Sequence, residues 1–364
     1  MPADRSGAAW RKADLKGRIA GGESLSDQPT KPDSRGPQPQ AVKHWGFAGL
    51  LFTYRCPAAC ASCYVCSGPA SEGDMSVEEG LAWWEGLGRA CPRGCRIHIG
   101  GGEPFVRWEA LIELCRRARA AGLGPLEAVE TNAFWAEDAA LVADRLRQLD
   151  QGGLGRLTIS ADPYHQQFVP IQRPRLAADV AQRVLGPQRV RVRWRDWLAE
   201  GFDLIDATPQ RRQAVFTQYL ARRRDRLTGR ASAQLADLLE LKPADAFADE
   251  TCAESLLRSR HVHVDGEGFI CPGACAGILL GRATTSQSLT DTWNDLARRH
   301  RTMEVIGPLA TSGPVGLLRQ AEQLGYVRRA GYAGKCHLCH CVRRWLFENG
   351  HFPRGLGPAA VYRD

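Results

Sequence analysis

The stretch FAGLLFTYRCPAACASC, residues 47 to 63, joins a continuous apolar run to a loop that contains three cysteines. A short apolar run of this kind predicts a strand buried on both faces, as in a parallel sheet. Cys56, Cys60 and Cys63 follow the run, with three and then two residues between them. A buried parallel strand that ends in three closely spaced thiols indicates a binding function at the edge of the sheet.

Strand and helix patterns alternate from this stretch to about residue 200. The predicted strands contain FAGLLFTY, RIHIG, LEAVETN, RLTISAD and RVRVRW, and amphipathic helical patterns lie between them. Ser76 and Glu79 form a predicted capping box at the start of the first helix. The alternation predicts a parallel α/β array, either an open sheet or a barrel.

Unusual residues follow each of the first four strands. The cysteine loop follows the first, GGGEP (100–104) the second, ETNAF (130–134) the third and SADPYH (160–165) the fourth. Because the carboxyl ends of parallel strands meet at one edge of a sheet, we expect all four groups to share one rim, where function collects in such folds.

The composition of the chain limits which classes of protein it can belong to. The chain has 364 residues, and 13 of them are cysteine, an odd number. The first 20 residues lack the apolar region of a signal peptide, and no apolar run is long enough to span a membrane. We therefore expect a cytoplasmic protein without a membrane partner, whose clustered cysteines hold metal rather than form disulfides.

The net charge of +8 does not by itself predict a nucleic-acid partner. Forty acidic residues are interspersed among the basic ones, and no basic stripe rich in aromatic residues is present.

Changes in composition divide the chain into three predicted parts. Residues 1–43 are polar, with scattered proline and glycine, and predict a flexible arm. Residues 44–245 hold the βα array. Residues 246–364 contain a predicted hairpin, HVHVDGEGFICPG, with cysteines around it and a later KCHLCHC stretch. We expect this last part to be a small metal-binding domain.

Three thiols on one loop do not complete a tetrahedral structural zinc site, which needs four ligands. A four-iron cluster is also usually held by four cysteines. With three, one iron keeps an open position for a substrate or cofactor. The loop therefore predicts a [4Fe–4S] cluster with one ligatable iron.

The three-cysteine spacing after the first strand resembles the signature of the radical S-adenosylmethionine (radical SAM) enzymes. GGGEP resembles that family's Gly-Gly-Glu-Pro stretch. The resemblance implies a partial (β/α)6 TIM-like barrel in which Cys56, Cys60 and Cys63 hold the cluster. It also implies that Gly101, Gly102 and Glu103 bind the methionyl group of S-adenosylmethionine.

The resemblance implies further cofactor contacts at the rim. Thr131, Asn132, Ser160 and Asp162 fall where the family binds the ribose and the methionyl carboxylate. Arg193, or alternatively Arg191, could pair with that carboxylate. The family often has an aromatic residue before the third cysteine, whereas this chain has Ser62. Tyr64, just after that cysteine, is the predicted substitute against adenine.

Asp162 and His165 are the predicted catalytic pair. They lie three residues apart on the rim and could anchor substrate or move a proton. The alternative is that they cap an ordinary loop between a strand and a helix.

The cysteines after residue 246 resemble a SPASM or twitch extension, which binds an auxiliary iron–sulfur cluster. The resemblance implies the ligands Cys252, Cys271, Cys336 and Cys339 for a second [4Fe–4S] cluster. Cys275 and Cys341 are the substitutes, and four thiolates would also suit zinc.

Together these features predict a radical SAM oxidoreductase or maturase that abstracts a hydrogen atom from a peptide or protein. A small metabolite, such as a sugar or antibiotic intermediate, is the alternative substrate. A reducing partner such as flavodoxin or ferredoxin is expected. The alternative from another class is a non-catalytic redox relay, in which Cys66 closes the first cluster as fourth ligand.

Overall fold

The computed structural model describes residues 42–222 and 226–363, so the predicted arm, residues 1–43, lies outside it except for two residues. The strands are β1 Phe47–Thr53, β2 Arg96–Gly101, β3 Leu126–Thr131, β4 Leu157–Ser160, β5 Val190–Arg193, β6 His261–Asp265, β7 Phe269–Pro272 and β8 Gly281–Arg282. The helices are α1 Val77–Ala90, α2 Trp108–Ala120, α3 Ala139–Gln151, α4 Gln172–Leu185, α5 Arg195–Glu200, α6 Pro209–Arg222, α7 Arg230–Gln234, α8 Ser288–Arg299, α9 Ile306–Gln323 and α10 Lys335–Glu348.

One sheet joins these strands in the order β5-β4-β3-β2-β1-β6-β7-β8. The first six in this order pair in parallel, and β7 and β8 extend the sheet in antiparallel fashion. The predicted hairpin is present as β6 and β7, but β6 also pairs with β1. The sheet thus draws strands from both sides of the predicted boundary at residue 245, which itself stays a prediction.

The parallel strands curve into a partial barrel, as predicted. β5 and β6 lie at opposite edges of the parallel part. Nevertheless Arg193 on β5 helps to lower the pKa of His261 on β6, after the larger effect of burial. The two edges must therefore approach each other across the interior.

Local sequence signals fix the ends of several helices. The predicted capping box at α1 is present: the Ser76 hydroxyl accepts from the amide of Glu79, and the Glu79 carboxylate accepts from the amide of Ser76. The Asp138 carboxylate likewise accepts from the amides of Ala140 and Leu141 at the start of α3. Gly122 follows α2 with a φ of 64°, a conformation that favours glycine.

The two faces of the sheet differ in chemistry because side chains alternate along a strand. Ala48, Leu50 and Phe52 of β1 belong to the main hydrophobic core. The intervening positions on neighbouring strands carry polar residues that point to the barrel interior; these are His98, Glu130, Thr158, Arg193, His261 and His263.

No helix in the described part of the chain is long and apolar enough to cross a membrane.

Candidate active site

The cysteine loop begins directly after β1, as the sequence predicted. Cys56 and Cys60 are buried, and Cys63 is partly exposed. The amide of Cys63 donates to the carbonyl of Cys60, at 3.1 Å, so the last two thiols lie on one tight turn. The loop therefore holds three thiols close together at the carboxyl end of the central strand.

Arg230 at the start of α7 ties this loop together. Its guanidinium donates to the carbonyls of Cys60, Cys66 and Ser67, at 2.9, 3.0 and 2.9 Å, and its amide donates to the carbonyl of Cys63. Arg230 is buried, so these are charge-assisted bonds away from solvent. Sequence reasoning missed Arg230, because nothing distinguishes it from the other arginines of its basic segment.

Gly229 allows this approach. Its φ is 57°, and a β-carbon there would lie 2.5 Å from the carbonyl oxygen of Cys63. Only glycine fits so close to the loop.

Cys66, the fourth thiol near the loop, contacts the backbone of Val361. It is buried, and its thiol donates to the backbone carbonyl of Val361, at 3.3 Å. A cluster ligand is a thiolate and has no hydrogen to donate. This contact favours three ligands on the loop rather than four.

Glu103 lies at the end of β2 and is almost completely buried. Its carboxylate accepts from the Thr131 hydroxyl at 2.9 Å, the Asn132 amide at 2.6 Å and the Phe105 amide at 3.2 Å. Burial raises the pKa of Glu103 to about 7, although these bonds oppose the rise. The ends of β2 and β3 are thus joined through one carboxylate.

The glycines before Glu103 bring this carboxylate to the cysteine loop. β-Carbons at Gly101 and Gly102 would lie 2.5 Å from the carbonyl oxygen of Thr53 and 2.2 Å from that of Arg55. The amides of Gly102 and Glu103 donate to these same two carbonyls. The glycines therefore allow close packing of the two loops, and their predicted contact with the methionyl group stays a prediction.

Asn132 links Glu103 to the cysteines. Its side-chain amide lies 3.5 Å from the sulfur of Cys56 and is oriented to donate to it. Thr131 also accepts from the indole of Trp135, at 3.0 Å. Thr131 and Asn132 are therefore fixed around the carboxylate at the position that sequence analysis singled out.

Asp162 and His165 contact each other and the cysteine loop. One Asp162 oxygen accepts from the amides of Tyr164 and His165, and the other lies 2.5 Å from Nδ1 of His165. Burial opposes protonation of His165, but Asp162 and Cys60 together raise its pKa well above the ordinary value. The pair both caps its loop and places a cationic imidazole beside Cys60.

The remaining predicted cofactor contacts are Arg193, Ser160 and Tyr64. Arg193 forms an ion pair with Glu130, and Ser160 lies opposite Arg193 in the β4–β5 pairing. Tyr64 is close to His263, with 5.9 Å between ring centroids. Burial is the main cause that raises the pKa of Tyr64, and Glu130 adds to it.

A cavity of about 350 Å³ opens beside the cysteine loop. Tyr64 lines it, and the other lining residues are Ser62, Tyr164, Trp194, Tyr219, Arg226, Thr228, Gly273 and Ala274. Four aromatic rings and one cation suit a ligand with a flat apolar part and a polar or anionic part.

A second group of thiols lies in the C-terminal segment. Burial raises the pKa of Cys252, and the nearby thiols of Cys339, Cys275 and Cys336 add to the rise. Burial likewise raises the pKa of Cys275 to about 11, and Cys339 and Cys336 contribute to this rise. These four thiols are mutual neighbours, so the substitute ligand Cys275 joins three of the predicted set.

A fifth thiol, that of Cys271, also has neighbours inside the barrel. Burial raises the pKa of Cys271 to about 12, and the next cause is Asp265, at the end of β6. The thiol also contributes to the raised pKa of Tyr54 and of Tyr64. Cys275 also adds to the raised pKa of Cys271, and Arg343 opposes it. Cys271 thus has neighbours both in the barrel and in the second group, and its role as a ligand stays a prediction.

Arg343 supplies a buried positive charge beside the second group. Its guanidinium donates to the carbonyl of Ala276 and to the hydroxyl of Tyr362. Burial opposes its charge, but Tyr362, Cys339 and Cys275 raise the pKa of Arg343. Sequence reasoning missed this residue, because its partners are distant in the chain.

The histidines near the second group satisfy backbone amides. Nδ1 of His340 accepts from Gly229, and Nδ1 of His337 accepts from Ala333. His261 and His263 lie elsewhere, inside the barrel with His98.

Comparisons with known proteins add similarity at the level of the fold. No protein-family model matches the chain, and no curated protein is similar to it. The chain is similar to the crystal structure of BtrN in complex with AdoMet and 2-DOIA, with 14% sequence identity and a TM-score of 0.45, over 75% of this chain and 90% of BtrN. It is also similar to native anSMEcpe with bound AdoMet and Cp18Cys peptide, with 11% identity and a TM-score of 0.41, over 73% of this chain and 84% of that chain. These values carry no argument about activity, so the function has to be inferred from the chain's own residues.

Proposed function

We propose that this chain is a radical SAM enzyme, which reductively cleaves S-adenosylmethionine and abstracts a hydrogen atom from a substrate. The observation that carries the proposal is the meeting of three thiols on one loop with the buried Glu103 carboxylate, through Asn132. The first three strands contribute these groups at their carboxyl ends.

The donor set fits a [4Fe–4S] cluster on Cys56, Cys60 and Cys63. Thiolates are the ligands that iron–sulfur clusters prefer. The amide of Ser67 donates to the sulfur of Cys63 at 3.2 Å, which stabilises a thiolate there. With the Cys66 thiol directed at a carbonyl, one iron keeps the open position that S-adenosylmethionine needs.

When reduced, the cluster supplies the electron that breaks a carbon–sulfur bond of S-adenosylmethionine, which gives methionine and a 5′-deoxyadenosyl radical. The protein binds and orients the reactants. Glu103 would accept from the methionyl ammonium through Oε2, which accepts from the Asn132 backbone amide and can take a further hydrogen bond, whereas Oε1 already accepts from Thr131 and Phe105. Thr131, Asn132 and Ser160 are the proposed contacts of the ribose and carboxylate, and Tyr64 of the adenine.

Arg193 is the proposed partner of the methionyl carboxylate, for which it would have to share its charge with Glu130. Asp162 orients His165, whose ring contacts Cys60 and would position that side of the cysteine loop.

The substrate is proposed to be a peptide or protein, on the strength of the sequence resemblance to enzymes with auxiliary clusters. A small metabolite is the second candidate, and the observation that favours it is the small aromatic cavity with Arg226 at its wall. Each candidate can be deuterated, and transfer of deuterium into 5′-deoxyadenosine identifies the true substrate.

The second thiol group is proposed to hold an auxiliary [4Fe–4S] cluster on Cys252, Cys275, Cys336 and Cys339. Thiolates that bind different irons of a cluster lie farther apart than thiolates that share one ion. Among the described residues no set of three thiols is close enough to share an ion, which favours a cluster over zinc. Arg343 would offset part of the cluster's negative charge.

The test uses protein purified and reconstituted without oxygen. We expect about eight irons per chain, as two four-iron clusters require, and formation of 5′-deoxyadenosine with S-adenosylmethionine and dithionite. Cys60→Ala should lose the first cluster and all cleavage. Cys66→Ala should keep both, whereas loss of the first cluster in Cys66→Ala, or intact clusters without cleavage, would support a redox relay instead.

A further inference from the structure

Three histidines converge inside the barrel. His98 lies on β2, and His261 and His263 lie on β6, on either side of β1. One ligand nitrogen of each ring lies within 4.8 Å of the other two. Among residues 42–222 and 226–363, no other group of three or more His, Cys, Asp or Glu side chains meets this condition.

Gly49 creates the space in which these rings meet. It pairs in register with His98 on one side and with His263 on the other. A β-carbon at Gly49 would lie 2.3 Å from atoms of both rings. The two imidazoles therefore cover the backbone of β1, at a position where any other residue would displace them.

The ring nitrogens of His98 and His261 point at each other. Nε2 of His98 lies 2.9 Å from Nε2 of His261, so one must donate and the other accept. Nδ1 of the buried His263 has no hydrogen-bond partner among the described residues.

A carboxylate lies behind the group. Oε1 of Glu130 is 3.8 Å from Nδ1 of His98, the nitrogen that does not face His261. Metal-bound histidines commonly donate their second N–H to such a carboxylate, which orients the ring. Glu130 also pairs with Arg193, so its charge is shared between that guanidinium and the histidine group.

We propose that His98, His261 and His263 bind one divalent transition-metal ion of the zinc class, with a fourth position open to an oxygen or nitrogen ligand. Three imidazoles suit zinc, and tetrahedral coordination at about 2.0–2.1 Å places nitrogens roughly 3.3 Å apart. Small rotations of the rings reach this spacing from the observed distances. The proposal does not depend on the proposed function, because the metal is measured directly.

The experiment uses the full chain with its clusters reconstituted, loaded with Zn²⁺ and desalted. We expect about one zinc per chain by mass spectrometry and a nitrogen or oxygen shell at about 2.0–2.1 Å by zinc X-ray absorption. His98→Ala should bind zinc more than a hundredfold more weakly, since loss of an outer-shell partner alone costs about 10–100-fold. The matched control is His300→Ala, which removes a buried imidazole whose Nδ1 lies 3.3 Å from the backbone carbonyls of Leu296 and Ala297. This variant should bind zinc as wild type does.

Two results would overturn the proposal. One is wild-type protein that retains no zinc, or His98→Ala that binds zinc as tightly as wild type does. The other is a sulfur shell at about 2.3 Å, which would place the zinc on cysteines. The absorption measurement needs only wild-type protein, so it decides the matter even where His98→Ala fails to fold.

Discussion

Replacement of Arg230 should lower the stability of the cysteine loop, because this side chain ties the loop together. Arg230→Met removes three buried hydrogen bonds to the carbonyls of Cys60, Cys66 and Ser67. A bond to a charged group contributes about 1.5–3 kcal/mol, and the three overlap because one side chain makes them all. We expect the free energy of local opening of the loop to fall by about 3–5 kcal/mol.

Hydrogen exchange measures this opening directly. A loss of about 3 kcal/mol corresponds to exchange on the order of a hundredfold faster in the peptide that covers residues 56–68. Iron should also leave the first cluster faster in the presence of a chelator. Arg230→Lys should lie between wild type and Arg230→Met, because one ammonium cannot reach all three carbonyls.

The matched control is Arg183→Met, which removes an exposed ion pair with Asp179. Exposed pairs contribute about 0–1 kcal/mol, so the loop should exchange as in wild type. Exchange in Arg230→Met that stays within about threefold of wild type, a change of well under 1 kcal/mol, would refute the reasoning.

Two further predictions concern groups that burial perturbs. Because burial raises the pKa of Glu103 to about 7 from its unfolded value of 4.5, its contribution to stability is fully present below pH 4.5 and is lost as the pH rises towards 7. In urea unfolding of the cluster-free chain, the free energy of unfolding should therefore fall by about 3 kcal/mol across this pH range. Glu103→Gln should not show this fall. Parallel pH profiles for the wild type and Glu103→Gln would contradict the prediction. Cys275→Ala should lower the iron content by about four atoms per chain, as loss of one four-iron cluster requires. Cys271→Ala should leave the iron content unchanged. The opposite pattern in an iron assay would indicate that Cys271, not Cys275, is the ligand.

Much of the fold follows from local sequence patterns. The five strands up to β5, the helices between them and the capping box of α1 lie where periodicity and capping residues predicted them. The hairpin of β6 and β7 was predicted too. The pairing of β6 with β1 was missed, because a strand's pattern shows that it is buried but does not identify its neighbour.

Some residues of the candidate site could likewise be predicted from the sequence, and others could not. Glu103, Thr131 and Asn132 were predicted as a group because parallel strands end at a common rim. Arg230 and Arg343 were not found, because many arginines are equivalent in sequence and only burial against particular carbonyls and thiols distinguishes these two.

The sequence by itself determined which segments form strands and helices, and which thiols share a loop, because these depend on residues that are neighbours in the chain. Only the tertiary structure decided that Cys66 donates to Val361, which is 295 residues away. The same holds for His98 and His261, which are 163 residues apart and meet across β1. Such contacts depend on strand order and on the curvature of the sheet, and both arise from the packing of the whole chain.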